Sequence, residues 1–418
     1  MNLRWFISKT VRQAAAMRKH VRNILNSQRD ILTPQAVQAV TASVDELGNA
    51  IRTDAKRDAL LKQMEKLEDA ANKWLKPYPN AGWRENVEVL LVALAVAMGI
   101  RTFFVQPFKI PTGSMQPTLF GVTSTPDFSR LNMRQEESKV EAEISEQMKL
   151  RDSFAIPTGW QRVKDWFAGI SYLDVKAKAD GMIESVGAPV GIRVIDFWQT
   201  IYIGGVAHVI LLPPDYGSYD LKTRSGLQYL SQQQFHKGDQ IVRLKEVAGD
   251  HLFVDRLTYN FRKPERGEIV VFQTGGIPDP RMPQDQFYIK RLVALGGERV
   301  QIGNDRHLVI NGRRLDASTP HFENVYSFDP RKPPQLSQYS GHVNEVVGDQ
   351  HGRYGLAPLF PNESAVHEVA APNYMVMGDN TVDSFDSRGW GEFPASNVIG
   401  KSFFVYWPIT SRFGWGHR

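Results

Sequence analysis

A serine and a lysine, far apart in the chain, stand in settings that could support hydrolysis of a peptide bond. Ser114 lies in IPTGSMQPTL, residues 110–119, where prolines stiffen a loop and a glycine lets the hydroxyl project. Lys290 lies in FYIKRLVAL, residues 287–295, whose alternation puts it on one face of a strand and Arg291 on the other. Burial lowers a lysine pKa from its usual value of about 10.4, and a neutral amine can take the serine proton. The two residues could therefore act as nucleophile and general base.

Neither residue predicts catalysis by itself. A serine between prolines is usually a turn residue. A lysine on a strand usually extends its amine to water. The catalytic interpretation therefore depends on whether other parts of the chain fit the same chemistry.

Four short stretches fit together. They are IPTGSMQPTL at 110–119, YIKR at 288–291, MGDN at 377–380 and SFDSR at 384–388. Together they resemble the signature boxes of bacterial type I signal peptidases, which are membrane-bound serine proteases that cut signal peptides from exported proteins. The resemblance implies that Ser114 is the nucleophile and Lys290 the general base.

The resemblance also implies supporting roles for four further residues. Ser384 corresponds to a serine that hydrogen-bonds and orients the lysine, and Asp386 and Arg388 correspond to a supporting ion pair. The hydroxyl of Thr112, with the backbone N–H of Ser114, would form an oxyanion hole. The alternative is that residues 383–391 form a polar surface turn.

Two departures from the family pattern put its local supporting contacts in doubt. The chain has Gly-Gly-Glu at 296–298 where the family commonly has Pro-Gly-Asp. It has GDNTVDS at 378–384 where the family has Gly-Asp-Asn-Arg-Asp-Asn-Ser. Neither change removes the nucleophile, the base or the orienting serine.

Substrate binding by family members implies an extended peptide paired between residues 106–111 and 287–290, with pockets for small side chains. The residues expected to line those pockets are Phe108, Ile110, Met115, Leu119, Tyr288 and Ile289. Each of them could equally be an ordinary core residue.

An apolar segment at 87–105 precedes the nucleophile loop. Its nineteen residues, as a helix, would rise about 28 Å, just enough to cross a hydrocarbon core. The uninterrupted apolar part, Val89 to Ile100, suits a buried core helix equally well. Residues 1–86 hold fifteen Lys and Arg against nine Asp and Glu, so the basic excess lies before this segment. We expect a single span in a bacterial inner (cytoplasmic) membrane, with the N-terminus cytoplasmic and the catalytic domain on the outer, periplasmic side.

The remaining sequence predicts a mainly β catalytic domain with one N-terminal transmembrane helix and a helical N-terminal extension. The resemblance implies that the β domain is of the signal-peptidase and LexA-like type. The predicted parts are a basic helical cytoplasmic extension at 1–86, the transmembrane helix at 87–105, the nucleophile segment at 106–121, a first insertion at 122–235 with an acid-rich helix and a β-rich part, the base-bearing β part at 236–313, a second insertion at 314–371, and the C-terminal part of the catalytic domain at 372–418. The first thirty residues fit either a basic amphipathic helix on the membrane or a solvated helical hairpin.

Composition excludes several chemistries. The chain has no cysteine, which excludes disulfides and thiol nucleophiles, and its ten histidines are scattered without ligand spacing. We expect no metal and no organic cofactor. The expected partners are preprotein signal peptides, the lipid bilayer and the export machinery, without nucleic acid. Two other functions remain open: a catalytically inactive, membrane-tethered scaffold that binds peptides, and a self-cleaving Ser/Lys protease of the repressor type.

Overall fold

The computed structural model describes residues 8–53, 55–76, 81–128, 131, 137–192, 195–212, 224–230, 232–327, 341–350 and 352–415. The chain divides into two compact units, Met1–Ala95 and Val96–Arg418.

The described part of the first unit contains three complete helices, α1 Lys9–Gln28, α2 Pro34–Arg52 and α3 Arg57–Trp74. Two of them begin where the sequence supplies a cap. The Ser8 hydroxyl accepts a hydrogen bond from the Val11 N–H, and Thr33 accepts one from the Ala36 N–H just before Pro34 at the first helical position. The three helices then pack around one apolar core.

The apolar residues of α1 face that core. Val21 and Leu25 are each only 5% exposed and pack with residues of α2 and α3 such as Leu47 and Leu67. These side chains are therefore not available as a free apolar face on a membrane, which favours the solvated alternative for this segment. Trp5, Phe6 and Ile7, which belong to the same predicted segment, lie outside the described residues.

Helix α4, Ala81–Phe103, contains the predicted apolar segment and crosses the division between the two units. The stretch Glu85–Phe103 is long and apolar enough to cross a membrane by length and composition, and none of it is buried. The alternative of a buried core helix is therefore wrong. A strand follows two residues after the helix ends.

The second unit is built mainly from strands. They are β1 Val105–Lys109, β2 Thr123–Thr125, β3 Ile170–Lys176, β4 Ile183–Val186, β5 Val190–Ile192, β6 Ile195–Ile203, β7 Val206–Leu211, β8 Gln240–Val247, β9 His251–Asp255, β10 Ile269–Gln273, β11 Phe287–Leu295, β12 Arg299–Ile302, β13 Leu308–Ile310, β14 Arg313–Arg314, β15 His367–Glu368, β16 Asn373–Met377, β17 Phe393–Pro394, β18 Val398–Trp407 and β19 Gly414–Trp415. Its described helices are α5 Glu137–Asp152, α6 Trp160–Phe167, α7 Leu227–Leu230, α8 Glu323–Ser327, α9 Glu345–Gln350 and α10 Ser387–Trp390, with 3₁₀ turns at Gly113–Met115, Thr258–Asn260 and Ala395–Asn397.

The largest sheet runs β1-β9-β18-β10-β11-β16-β17, with β19 added to β18. Its pairs are antiparallel, and this curled sheet confirms the mainly β domain. The rings of Phe108 on β1 and Phe287 on β11 contact each other with centroids 5.4 Å apart, although several strands lie between them in the sheet order. Curling therefore brings β1 close to β11.

Strand β11 separates two apolar clusters. Leu292 packs with Val270 and Val376 on one side, and Val293 packs with Met375 and Met377 on the other. This is the alternation expected of a strand with both faces buried. It places Lys290 and Arg291 on opposite faces.

Among the described residues there are three smaller sheets, in the orders β2-β8-β3, β4-β6-β5 with β7 on β6, and β14-β13-β12-β15. Within the predicted β-rich part of the first insertion, β6 and β7 form a hairpin. Gly204 and Gly205 make the turn, with φ angles of 55° and 72°, which a glycine adopts without strain.

Candidate active site

The nucleophile segment is a tight loop with a short 3₁₀ turn at its centre. The turn covers Gly113–Met115 and is preceded by Thr112 in an extended conformation. Ser114 lies in this turn and is 7% exposed. Its backbone N–H belongs to the first turn, where amide hydrogens have no partner within the helix.

The structure brings Lys290 and Ser114 into contact across 176 positions of sequence. The Lys290 Nζ lies 2.5 Å from the Ser114 Oγ. Lys290 reaches this position from the middle of β11 and is only 5% exposed. An amine and a hydroxyl are thus hydrogen-bonded in a site largely shielded from water.

The electrostatics of the site suit an amine that loses its proton. Burial lowers the pKa of Lys290 to about 8, although the carboxylates of Asp386 and Asp379 oppose this effect. Arg388 adds to the lowering. With a pKa near 8, about one tenth of the amine is neutral at pH 7, enough for it to act as a base.

The neighbouring residue Arg291 anchors the loop from the other face of β11. Its guanidinium donates to both carboxylate oxygens of Asp379 at 2.6 and 2.7 Å, and both side chains are fully buried. Asp379 also accepts a hydrogen bond from the Thr118 hydroxyl. The far end of the nucleophile loop is therefore fastened to the strand that carries the lysine.

Asn380 holds the loop at the nucleophile itself. Its backbone N–H donates to the Ser114 carbonyl at 3.1 Å, and its side-chain amide donates to the Gly113 carbonyl at 3.0 Å. Because two consecutive carbonyls are fixed by one residue, the orientation of the turn around Ser114 is closely defined.

Asp386 and Arg388 form a second buried ion pair. Arg388 donates from Nε to one carboxylate oxygen at 2.9 Å and from Nη2 to the other at 2.8 Å, and both side chains are fully buried. Asp386 also accepts the Gly378 N–H at 3.0 Å. Burial opposes ionisation of this carboxyl, but the Arg388 charge and these hydrogen bonds hold its pKa below the usual value.

Gly378 lies where the backbone passes closest to the nucleophile. A Cβ at this position would overlap the Ser384 hydroxyl and the Ser114 carbonyl oxygen. The glycine is required here because there is no space for a side chain.

The other two predicted supporting residues, Ser384 and Thr112, have different surroundings. Ser384 is buried next to Gly378, but its hydroxyl makes no hydrogen bond to Lys290; it lies close enough to Asp386 to help lower the pKa of that carboxyl. Thr112 is exposed, and its hydroxyl does not cap the turn that it precedes. The orienting contact predicted between Ser384 and Lys290 is therefore not formed in this structure.

A metal site was not expected, and within the described ranges no group of three or more His, Asp or Glu side chains is placed to hold a metal ion. What the site holds is a serine, an amine and two buried ion pairs. This set can perform nucleophilic acyl transfer.

Comparisons with known proteins point to one family. The model of the family described as signal peptidase, peptidase S26, matches residues 83–123 and 244–407. Signal peptidase I of Leptolyngbya laminosa is 26% identical over 183 residues, which cover 44% of this chain and 71% of that protein. Chloroplastic thylakoidal processing peptidase 1 of Arabidopsis thaliana is 29% identical over 164 residues, covering 38% of this chain and 37% of that protein. The chain belongs to the S26 signal peptidase family.

Coverage of the S26 relatives is uneven. Apart from the Leptolyngbya protein, the other curated relatives are covered over 34% to 63% of their own length. A solved signal peptidase I from Enterococcus faecalis is 27% identical and is covered over 97% of its length, against 34% of this chain, with a TM-score of 0.23, which is too low for a comparison of folds. The family match omits residues 124–243, where most of the first insertion was predicted.

The S26 match includes all of the predicted site residues. Of the six expected to line substrate pockets, Ile110, Met115 and Leu119 are at most 3% exposed and lie in one core cluster. For these three the core interpretation fits the structure better. Phe108, Tyr288 and Ile289 are partly exposed and remain candidates.

Sequence reasoning missed three polar residues that fasten the site of this S26 peptidase. Arg291, Asp379 and Asn380 stood inside the quoted boxes, yet no role was assigned to any of them. The available signal was the position of Arg291 next to the lysine: on a strand buried on both faces, a charged side chain needs an opposite charge nearby.

Proposed function

We propose that this serine peptidase removes signal peptides from exported preproteins, with Ser114 as nucleophile and Lys290 as general base. The observation that carries the proposal is the contact between the Lys290 Nζ and the Ser114 Oγ in a buried site. The names of the S26 relatives, signal peptidase I and thylakoidal processing peptidase, support the substrate class.

Substrate binding is proposed to extend the curled sheet. Strand β1 ends the sheet path and pairs with β9 on one side. Residues Phe287–Lys290 of β11 pair with β10, whereas the pairing of β11 with β16 begins at Arg291. Among the described residues, both strands thus keep an open edge near Ser114. An extended peptide can lie between these edges and gain backbone hydrogen bonds.

The chemistry has two halves. In the first, the neutral Lys290 amine accepts the Ser114 proton while the hydroxyl oxygen attacks the scissile carbonyl, and the resulting ammonium gives a proton to the leaving amine. The acyl group is now an ester on Ser114. In the second half, the amine deprotonates a water that attacks the ester, and the serine regains its proton.

The negative oxygen of each tetrahedral intermediate needs hydrogen-bond donors. The Ser114 backbone N–H is one candidate, because the 3₁₀ turn leaves it without a helical partner. The exposed hydroxyl of Thr112 is the second candidate, as the family resemblance implies.

The proposed location is a membrane with the peptidase domain on its outer side. The exposed apolar stretch Glu85–Phe103 would be the single span, and the basic excess before it would stay in the cytoplasm. Helix α4 ends at Phe103, and the nucleophile loop begins at Ile110. Only six residues lie between them. This tether keeps the peptidase near peptide bonds that emerge beside the bilayer.

The test is a processing assay in proteoliposomes on a preprotein with alanine one and three residues before the cut. The wild type should cleave, and Ser114→Ala and Lys290→Ala should not. Ser402→Ala is a matched control, because Ser402 is also a buried serine with no hydrogen-bond partner for its hydroxyl among the described residues. Cleavage by both active-site variants would refute the mechanism. Binding of preprotein by the wild type without cleavage would favour the scaffold function.

A further inference from the structure

A buried segment of the second insertion, Gly341–Asn344, reaches the site. All four of its residues are buried. The His342 N–H donates to the Arg306 carbonyl at 2.8 Å, and the Asn344 side chain donates to the Ile302 carbonyl at 3.1 Å and accepts the Val347 N–H at 3.0 Å. These bonds fix the segment on the β12-β13 side of the domain.

Thr381 joins that segment to the Arg388–Asp386 ion pair. Its hydroxyl oxygen accepts two hydrogen bonds, one from the Val343 N–H at 2.9 Å and one from Arg388 Nη1 at 2.8 Å. Both the Thr381 side chain and the segment are fully shielded from solvent. Thr381 is also one of the positions at which the chain departs from the family box, where an arginine is common.

All five N–H donors of the Arg388 guanidinium have acceptors. Two go to Asp386, two go to Thr381 through its hydroxyl and its carbonyl at 2.7 Å, and one goes to the Val343 carbonyl at 3.3 Å. Three of the five therefore depend on Thr381 and the insertion segment. A guanidinium held at every donor has one orientation, and that orientation places it on Asp386.

We propose that Thr381 is a positioning residue through which the second insertion holds the Arg388–Asp386 ion pair in place beside Lys290. The inference rests on the proposed function, since Lys290 is taken as the general base. The proposal gives a role to Thr381, which stands where the family commonly has arginine. It also gives a role to the second insertion, for which the sequence alone suggests none.

The charges around Lys290 determine how a less firmly held Arg388 would change the pKa of this base. Asp386, Asp379 and Asp383 favour the protonated amine, and Arg388 disfavours it, while Arg291 on the opposite face is engaged with Asp379. If Arg388 is less firmly held, Asp386 is less compensated and the pKa of Lys290 rises. The buried His342 is not a competing source of pH dependence, because burial and then the Arg388 charge lower its pKa to about 3.

The experiment compares Thr381→Val, which keeps the shape but removes the acceptor, with Thr381→Ser, which keeps the hydroxyl. The readout is kcat/KM for preprotein cleavage from pH 6 to pH 10. For Thr381→Val we expect the midpoint of the acidic limb to move up by about 0.5 to 1 pH unit, which lowers kcat/KM at pH 7 by roughly 3- to 10-fold with KM within about twofold of the wild type. Thr381→Ser should retain the wild-type midpoint.

A second variant covers the case in which Thr381→Val does not fold. Asn344→Ala removes the side-chain bonds to Ile302 and Val347 but keeps the bond from the His342 N–H to Arg306 and every acceptor of Arg388. It should therefore move the midpoint in the same direction by a smaller amount. A uniform loss of activity with an unchanged midpoint, in whichever of the two variants folds, would overturn the positioning role. Failure of the wild type to cleave would instead overturn the proposed function, so the two failures can be told apart.

Discussion

Arg291, the residue that follows the proposed base in sequence, forms a bidentate and fully buried ion pair with Asp379. The pair links β11 to the end of β16 and, through Thr118, to the nucleophile loop. Because β11 is buried on both faces, the two adjacent cations have opposite surroundings: Arg291 meets a carboxylate in direct contact, and Lys290 meets a hydroxyl.

Removing one member of the buried pair should be costly. Asp379→Ala leaves the Arg291 charge buried without its partner, so we expect the free energy of unfolding to fall by about 3–5 kcal/mol. Urea denaturation of the purified protein measures this. Arg314→Ala is the control, because the Arg314–Asp305 pair is half exposed and should contribute at most about 1 kcal/mol. Equal midpoints for Asp379→Ala and the wild type would contradict the assignment.

The pKa of Lys290 predicts how activity depends on pH. Only the neutral amine can accept the serine proton, and burial lowers the pKa of this amine to about 8. The value of kcat/KM should therefore rise about tenfold per pH unit below pH 8 and level off above it. Preprotein cleavage measured at saturating and limiting substrate gives this profile. A profile that is flat between pH 6 and pH 9 would argue against Lys290 as the base.

The same shift predicts a change in stability with pH. The folded-state pKa of Lys290 lies below the unfolded value, so between pH 8 and about 10.5 the unfolded chain binds more protons at this site than the folded one. Stability should therefore rise with pH in this window relative to a Lys290→Met variant, by up to about 3 kcal/mol at its upper end. Urea midpoints of both proteins at pH 7, 8, 9 and 9.5 test this. If the difference between the two proteins does not change with pH, Lys290 is not depressed in the folded state.

Gly378 should not tolerate the smallest added side chain. In Gly378→Ala the new methyl group would overlap Ser384 and the Ser114 carbonyl, so the turn that carries the nucleophile must shift. We expect a loss of about 1–3 kcal/mol in stability and at least a roughly 100-fold loss of kcat. Gly275→Ala provides the comparison, since its nearest neighbour outside the adjoining residues, an Asp285 oxygen, lies 3.7 Å away. Normal cleavage by Gly378→Ala would show that the loop adapts.

The absence of cysteine makes the proposed membrane orientation easy to test. Lys62 in the helical unit and Lys263 in the β unit are both exposed, so each can be replaced by cysteine as a single labelling site. In intact spheroplasts, an impermeant maleimide should label Lys263→Cys and not Lys62→Cys until the membrane is opened. The opposite pattern would reverse the orientation, and labelling of both would exclude a span between them.

The sequence predicted the parts of the fold that local patterns control. Strand β11 occupies the predicted range of residues 287–295, because alternation of apolar residues around Lys290 is a property of the segment itself. The contact between Ser114 and Lys290 was anticipated from the resemblance of the boxes, since nothing local relates positions so far apart. The buried state of Ile110, Met115 and Leu119 was left open because an apolar residue beside a nucleophile can serve a pocket or the core.

Other features could not be predicted, because they depend on long-range packing. The contact of Val343 with Thr381 joins an irregular segment to a box residue, and neither has a pattern that points to the other. Ser384 shows the converse case, in which a contact that the resemblance implies is not formed. It lies beside Gly378, but the hydrogen bond to Lys290 that the resemblance implies is not formed, since the precise direction of a hydroxyl depends on its whole environment.

In the part of the chain that the structure describes, residues 105–108 of β1 and 287–290 of β11 have open edges, and such edges can also pair with the wrong chain. Unpaired backbone donors and acceptors on a strand invite pairing with any extended chain, including another copy of the same protein. A peptidase with such edges is therefore most prone to self-association when no substrate is bound. A bound peptide covers the edges and protects against it. An uncleavable extended peptide should accordingly slow its aggregation at high concentration.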